Sequence, residues 1–200
     1  MNFFNPDADV FKHGDALPHW QQGPAMQFVT IRLGDSLPAT LIDGWRTERD
    51  AWLTENPKPW TADIQTEYHR RFSRKIEQWL DQGMGSCVFA GADAREVLKD
   101  CLLRFEGERV MHHAWVIMPN HLHLLFSPLV PMEKLIQAWK SHSARTLGMG
   151  PLWQRDYRDT LIRDWDHCQN VVRYIRRNPL KAKLPERSFT LWESERVSRL

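Results

Sequence analysis

The sequence predicts an α+β fold: a ferredoxin-like, split βαβ antiparallel sheet with flanking helices, a helical insertion and an extra C-terminal helix. Three observations predict it. Residues 110–126, VMHHAWVIMPNHLHLLF, are two apolar runs rich in β-formers joined by Pro119-Asn120, a turn pair, and read as two central antiparallel strands. Residues 27–33, QFVTIRL, alternate apolar and polar and read as a first strand. Helical periods occupy residues 61–82, 93–105, 131–147 and 165–178.

The elements follow in order. Residues 1–25 are rich in polar and breaker residues and are expected to form an irregular lead-in. After the first strand, Asp35-Ser36-Leu37-Pro38 reads as a helix start, with Ser36 as cap and Pro38 in the first turn. That helix runs to about Thr54, before the breaker Asn56-Pro57-Lys58-Pro59. Residues 61–82 place Ile64, Tyr68, Phe72, Ile76, Trp79 and Leu80 at helical spacing and close at Gly83 and Gly85. The helix over 93–105 takes Asp93 as its cap, and Gly107 ends it. Residues 152–162 carry a strand in their second half. Pro179 is expected to end the last helix at Asn178, because proline disfavours the helical state of the residue before it. The domain thus spans 26–184, with an insertion over about 60–85. Residues 185–200 form a tail whose Phe189, Leu191 and Trp192 can dock on the body.

Composition bounds the function. Two hundred residues with 42% apolar content suit one domain with a sizeable core. A net charge of +2 permits a nucleic-acid partner without requiring one. Cys87, Cys101 and Cys168 are odd in number and lack CxxC spacing, which argues against a disulfide framework or a zinc finger and fits a reducing cytosol. The start MNFFNPDADVFKH has no signal-peptide pattern, and no stretch reaches 18 apolar residues, so a cytoplasmic protein without a membrane span is expected.

Strand side chains alternate between faces, so His121 and His123 share one face while Leu122 points the other way. Two adjacent imidazoles are half of a metal site. In RYIRRNPLKAKL, Tyr174 and Asn178 are four residues apart and share one helical face. An amide oxygen completes a set that can hold Mg²⁺ or Mn²⁺, and a tyrosine beside such an ion is a candidate nucleophile. Tyr157, in a strand without a ligand-type partner, is the rival nucleophile. His112 and His113 cannot be assigned a face and read as structural or DNA-contacting.

MPNHLHLLF and YIRRNPLKAKL resemble the paired motifs of the HUH single-tyrosine transposases, with the nearest likeness to the REP-associated tyrosine transposases of bacteria. The likeness covers roughly residues 25–185 and includes QFVTIRLGDSLP and LWQRDYRDTLIRD. It implies an RRM-like sheet with His121, His123 and Asn178 as metal ligands. Tyr174 would be the nucleophile that joins a 5′ phosphate of single-stranded DNA and frees a 3′ hydroxyl. It further implies hairpin-forming palindromic repeats as substrate, a DNA transposition or recombination activity, a nucleoid-associated location, and a monomer, with a dimer as the alternative. A domesticated palindrome-binding protein with weak or no cleavage is the second reading, and a small-molecule metal hydrolase the third.

Arg173, Arg176, Arg177, Lys181 and Lys183 cluster around the tyrosine and read as a phosphate-binding surface, which Lys140, His142 and Arg145 can extend. The cluster His69, Arg70, Arg71, Arg74 and Lys75 reads as a solvated face, with DNA-backbone contact as the alternative. Trp139 and Trp153 read as core before base-stacking platforms, and Asn120 as a turn residue.

Overall fold

A computed structural model describes residues 2–13 and 19–198; Met1, 14–18 of the lead-in and 199–200 of the tail lie outside the described residues. Among the described residues, seven strands and six α-helices follow one another. The strands are β1 (Phe11–His13), β2 (His19–Gln21), β3 (Gln27–Arg32), β4 (Val110–Ile117), β5 (His121–Pro128), β6 (Arg158–Leu161) and β7 (Thr190–Glu193). The helices are α1 (Ala39–Glu55), α2 (Ala62–Tyr68), α3 (Arg74–Asp81), α4 (Ala92–Leu103), α5 (Met132–Thr146) and α6 (Trp165–Lys181). Among the described residues, no helix is long and apolar enough to cross a membrane.

The main sheet is antiparallel with strand order β6-β3-β5-β4-β7. Its first four strands have the ferredoxin-like order, so the α+β expectation holds. Alternation splits the sheet into two layers. Val29 and Ile31 of β3, Trp115 and Ile117 of β4, and Leu122, Leu124 and Phe126 of β5 pack with Leu98 and Leu102 of α4 and with Leu135 and Trp139 of α5. Met26, Ala114, Val116 and Leu125 pack on the opposite side against Cys168, Val171, Val172 and Ile175 of α6. Trp139 is therefore core, as read; Trp153 is half-buried on Phe89, with ring centroids 5.2 Å apart.

The insertion is larger than the sequence suggested. The helix packed under the sheet between β3 and β4 is α4, so α1, α2 and α3 all stand outside the ferredoxin-like plan. They have a small core of their own around Leu37, Ile76 and Leu80. The helix predicted over 61–82 forms, but a five-residue π turn, His69–Ser73, separates α2 from α3. Gly85 closes it with φ +87°, and a Cβ there would lie 2.5 Å from the Asp35 carbonyl oxygen, so no other residue fits.

Several local expectations change. Pro38, not Ser36, is the N-cap of α1; the Ser36 hydroxyl donates instead to the Leu33 carbonyl at 2.7 Å. Gly91 caps α4, and Asp93 sits in the first turn, where its charge favours the helix dipole. The lead-in contains β1 and β2, which pair antiparallel. The tail returns as β7 on the free edge of β4, where Trp192 stacks on Trp115 at 5.6 Å while Leu191 stays exposed. Most consequentially, α6 runs through Pro179 to Lys181. Proline removes one N–H, and the final turn is secured by Ala182 N–H to Asn178 O (3.0 Å) and Leu184 N–H to Pro179 O (2.9 Å). Burial of Asn178 and Pro179 outweighs the local preference.

His112 and His113 lie in the core, as the structural reading had it, with His113 at the register shift that falls between His112 and Ala114 of β4. His112 Nε2–H donates to the Leu102 carbonyl at 3.0 Å, and His113 Nε2 meets the Ser127 hydroxyl at 3.0 Å. Burial pushes both imidazoles down to about 4 from 6.5. An unfolded chain therefore takes up protons that the native fold refuses. Stability is full above about pH 6.5 and falls as pH drops toward 4. Urea unfolding at pH 7, 6 and 5 should show a steady fall in the midpoint; a flat profile would contradict neutral burial of this pair.

Candidate metal and nucleophile site

The site assembles where α6 lies on the sheet face that carries His121 and His123. Register sets Thr30 of β3 opposite His123 and Arg32 opposite His121. The two imidazoles are nearly perpendicular, with centroids 4.8 Å apart, and both are buried. Tyr174 presents an edge to His123 at 5.1 Å and to Phe28 at 5.7 Å. Asn178, one turn along α6, is buried at 1% exposure, so the helix extension past Pro179 is what keeps it on the face of Tyr174.

Hydrogen bonds set the imidazole tautomer at His121. Asn120 Nδ2 donates to the carbonyls of Leu80 (3.3 Å) and Met84 (3.0 Å). Its Oδ1 is thus the acceptor for His121 Nδ1–H at 2.7 Å, which leaves the lone pair on His121 Nε2. His123 Nδ1 lies 2.8 Å from the Thr30 hydroxyl. Its Nε2 has no hydrogen-bond partner among the described residues, and neither do Oδ1 and Nδ2 of Asn178. A buried polar atom left without a partner costs about 1–3 kcal/mol, so His123 and Asn178, each beside Tyr174, are candidates to take a ligand.

The donor set fits a divalent cation. Among the described residues no three His, Cys, Asp or Glu side chains gather into a metal-binding group, so the candidate ligands are two imidazoles and an amide oxygen. Burial, then the Lys181 charge, pushes His121 down to about 3. Burial, then His121, Lys181 and Arg158, pushes His123 well down. Both are therefore neutral at physiological pH, as ligation requires. Burial pushes the Tyr174 phenol above its ordinary value, and the Glu77 carboxylate adds to this. The Asn178 amide pulls it back, standing close to the hydroxyl without a hydrogen bond of good geometry. Burial also raises Glu77 itself.

Tyr157 lines the same cleft as Tyr174, but its ring is engaged by a histidine of the lead-in. It stacks on His19 at 3.8 Å, and His19 Nδ1 is 2.6 Å from Asp159 Oδ1. The predicted basic residues are scattered. Arg176 makes a two-point ion pair with Glu193 of β7 (2.6 and 2.9 Å), and Lys181 pairs with Asp81 at the end of α3 (2.8 Å). Lys140 donates to the carbonyls of Gln154 and Arg155, both at 2.9 Å, and burial lowers it to about 8. Lys140 and Arg145 belong to α5, in the layer opposite α6. Arg173, Arg177 and Lys183 are exposed.

Tyr174 and His123 instead open into a cleft of about 1170 Å³ between the sheet and the insertion. Its guanidiniums come from Arg32, Arg46, Arg49, Arg74, Arg158 and Arg163, none of which was named as part of the site except Arg74, in the cluster read as a solvated face. Sequence reasoning also missed Thr30, Asn120 and Glu77. For Asn120 a signal existed in its place beside His121; for the others the partner is distant in sequence.

No protein-family model matches the chain, and no curated protein matches it. The chain is similar to a solved structure. That structure is a REP-associated tyrosine transposase bound to a REP hairpin, with 14% identity, a TM-score of 0.49, and 84% of this chain and 74% of that chain covered. The roles of individual residues rest on the geometry above.

Replacing Asn120 with Ala leaves two carbonyls and the His121 N–H unpaired. Unfolding in urea should show a loss of about 1–3 kcal/mol, and a neutral variant would remove Asn120 as the residue that orients His121.

Proposed function

We propose that this chain is a metal-dependent single-stranded DNA endonuclease and strand-transferase of the HUH single-tyrosine kind, working through a covalent 5′-phosphotyrosine at Tyr174. One observation carries the reading: His123 Nε2 and both amide atoms of Asn178 are buried without partners, the His123 ring packs on Tyr174, and the neighbouring His121 keeps its lone pair on Nε2. His121 Nε2, His123 Nε2 and Asn178 Oδ1 would hold Mg²⁺ or Mn²⁺, which when bound supplies charge to polarise a scissile phosphate.

The chain's own residues do the rest. The Tyr174 ring packs in T-shaped contacts with His123 and Phe28, which restrict where its hydroxyl can lie. The Oη–phosphorus bond forms as the bond from phosphorus to the 3′ oxygen breaks. The phenol proton leaves to an acceptor, and the departing oxygen takes one up. Burial and Glu77 keep the phenol protonated at rest, so the hydroxyl is inert until a phosphate is in place. Rejoining is the same exchange in reverse.

The palindromic hairpin substrate follows from the motif resemblance, which also implies a monomer associated with the nucleoid. Arg173, Arg177 and Lys183 remain exposed near the tyrosine and can meet the DNA backbone outside the cleft.

Single-stranded hairpin DNA incubated with the protein and Mn²⁺ should give an adduct that survives denaturant. Tyr174→Phe should lose the adduct entirely while keeping DNA affinity within about threefold; cleavage by that variant at the wild-type rate would sink the assignment. His123→Ala should lower the adduct rate at least 100-fold with the fold intact by circular dichroism, and unchanged metal dependence there would remove the imidazole pair from the site.

A further inference from the structure

The cleft in front of Tyr174 has one wall that the ferredoxin-like plan does not supply. Ile42, Trp45, Arg46 and Arg49 of α1 all line it, at the i, i+3, i+4 and i+7 spacing of a single helical face. The opposite rim comes from β6 and its flanks, with Arg158 and Arg163; α3 closes one end with Arg74. Six arginines face the cleft against two carboxylates, Glu77 and Asp156. Like charge accumulates there: burial, and after it the Arg46 guanidinium, push Arg32 below its ordinary value, and Asp156 offsets only part. Ion pairs made by these arginines are exposed and local, such as Arg49 with Asp50 at 2.7 Å and Arg46 with Asp43 at 3.6 Å, and such pairs give way readily to a polyanion.

Aromatic rings interleave with the charge. Trp45 and Trp20 both face the cleft, and Trp20 is 43% exposed. Arg49 lies over the Trp45 ring at 4.9 Å. Guanidiniums with aromatic faces in a concave groove are the physical recipe for an unpaired strand, whose bases can stack; a duplex offers that groove only its phosphates. The π turn joins this wall to the chemistry. It places Ser73 so that its hydroxyl accepts from Arg158 Nη2 at 3.1 Å, and the Arg158 charge reaches Tyr174 and His123.

We propose that the helical insertion is a jaw for single-stranded DNA: the strand leaving Tyr174 runs between α1 and β6, with phosphates on Arg46, Arg49, Arg74 and Arg158 and bases against Trp45 and Trp20. This rests on the reading of Tyr174 as a DNA nucleophile, and it assigns to α1–α3 a substrate-holding role.

The test is fluorescence anisotropy with a labelled, unstructured DNA 15-mer and the full chain in chelator, so that binding is read without cleavage. Arg46→Glu/Arg49→Glu on α1 and, separately, Arg74→Glu on α3 should each weaken binding more than tenfold at low salt. The α1 pair should also flatten the plot of log affinity against log salt by about 1.4, the single-strand value for two phosphates. Arg104→Glu, outside the cleft, should bind as wild type, and a duplex of the same sequence should bind more weakly than the single strand. Wild-type affinity in both cleft variants, or tighter binding of duplex, overturns the jaw. Adduct formation by the wild-type protein, measured beside these, separates the two ideas: an adduct with unaffected cleft variants defeats the jaw alone, and no adduct with cleft-dependent binding defeats the nucleophile alone.

Discussion

Burying two imidazoles and an amide beneath a helix is the constraint on which the rest of this structure depends. The face of the sheet covered by α6 is apolar along most of its length, through Met26, Ala114, Val116 and Leu125. At one end it turns polar, with His121, His123 and Thr30 on the strands and Asn178 above them. Polar atoms in such a layer are costly unless partnered, and the fold partners only some of them. Asn120 and Thr30 each satisfy one imidazole nitrogen. They leave His123 Nε2 and both amide atoms of Asn178 without a hydrogen-bond partner among the described residues.

Much of the surrounding architecture holds that end of the sheet in place. Asn120 links the β4–β5 turn to the carbonyls that end α3, so the first imidazole and the insertion share a hydrogen-bond network. Lys181 reaches from the last turn of α6 to Asp81. Arg158 bridges β6 to the π turn. On the other flank, Arg176 ties α6 to β7 through Glu193 and the Val197 carbonyl. The insertion is therefore braced against this end of the sheet on three sides.

The buried histidines divide into two kinds by surroundings. His112 and His113 each bond a local partner within the core, a carbonyl and a hydroxyl, and stand among Trp139, Phe126 and Ser127. His121 and His123 face the closing helix, and His123 also faces the cleft. All four are held neutral by burial, so charge state does not separate them. What separates them is position: His123 lines the cleft with Tyr174, and neither His112 nor His113 does.

The sequence by itself determined the split βαβ plan, the shared face of His121 and His123, and the pairing of Tyr174 with Asn178. These follow from periods of two and 3.6 residues, which are properties of the local backbone. It misjudged Pro179, because packing of Asn178 and Pro179 against the sheet exceeds the cost of one missing N–H. The surroundings of each basic residue were not legible: whether an arginine lines the cleft or makes an ion pair depends on what comes back to meet it, and Glu193 returns to Arg176 only because the tail adds a strand to β4. Which arginines line the cleft was likewise settled by α1 and α3 standing across from β6, segments more than 75 residues apart in the chain. Contacts between such distant segments leave no local periodic trace, so only the tertiary structure could decide them.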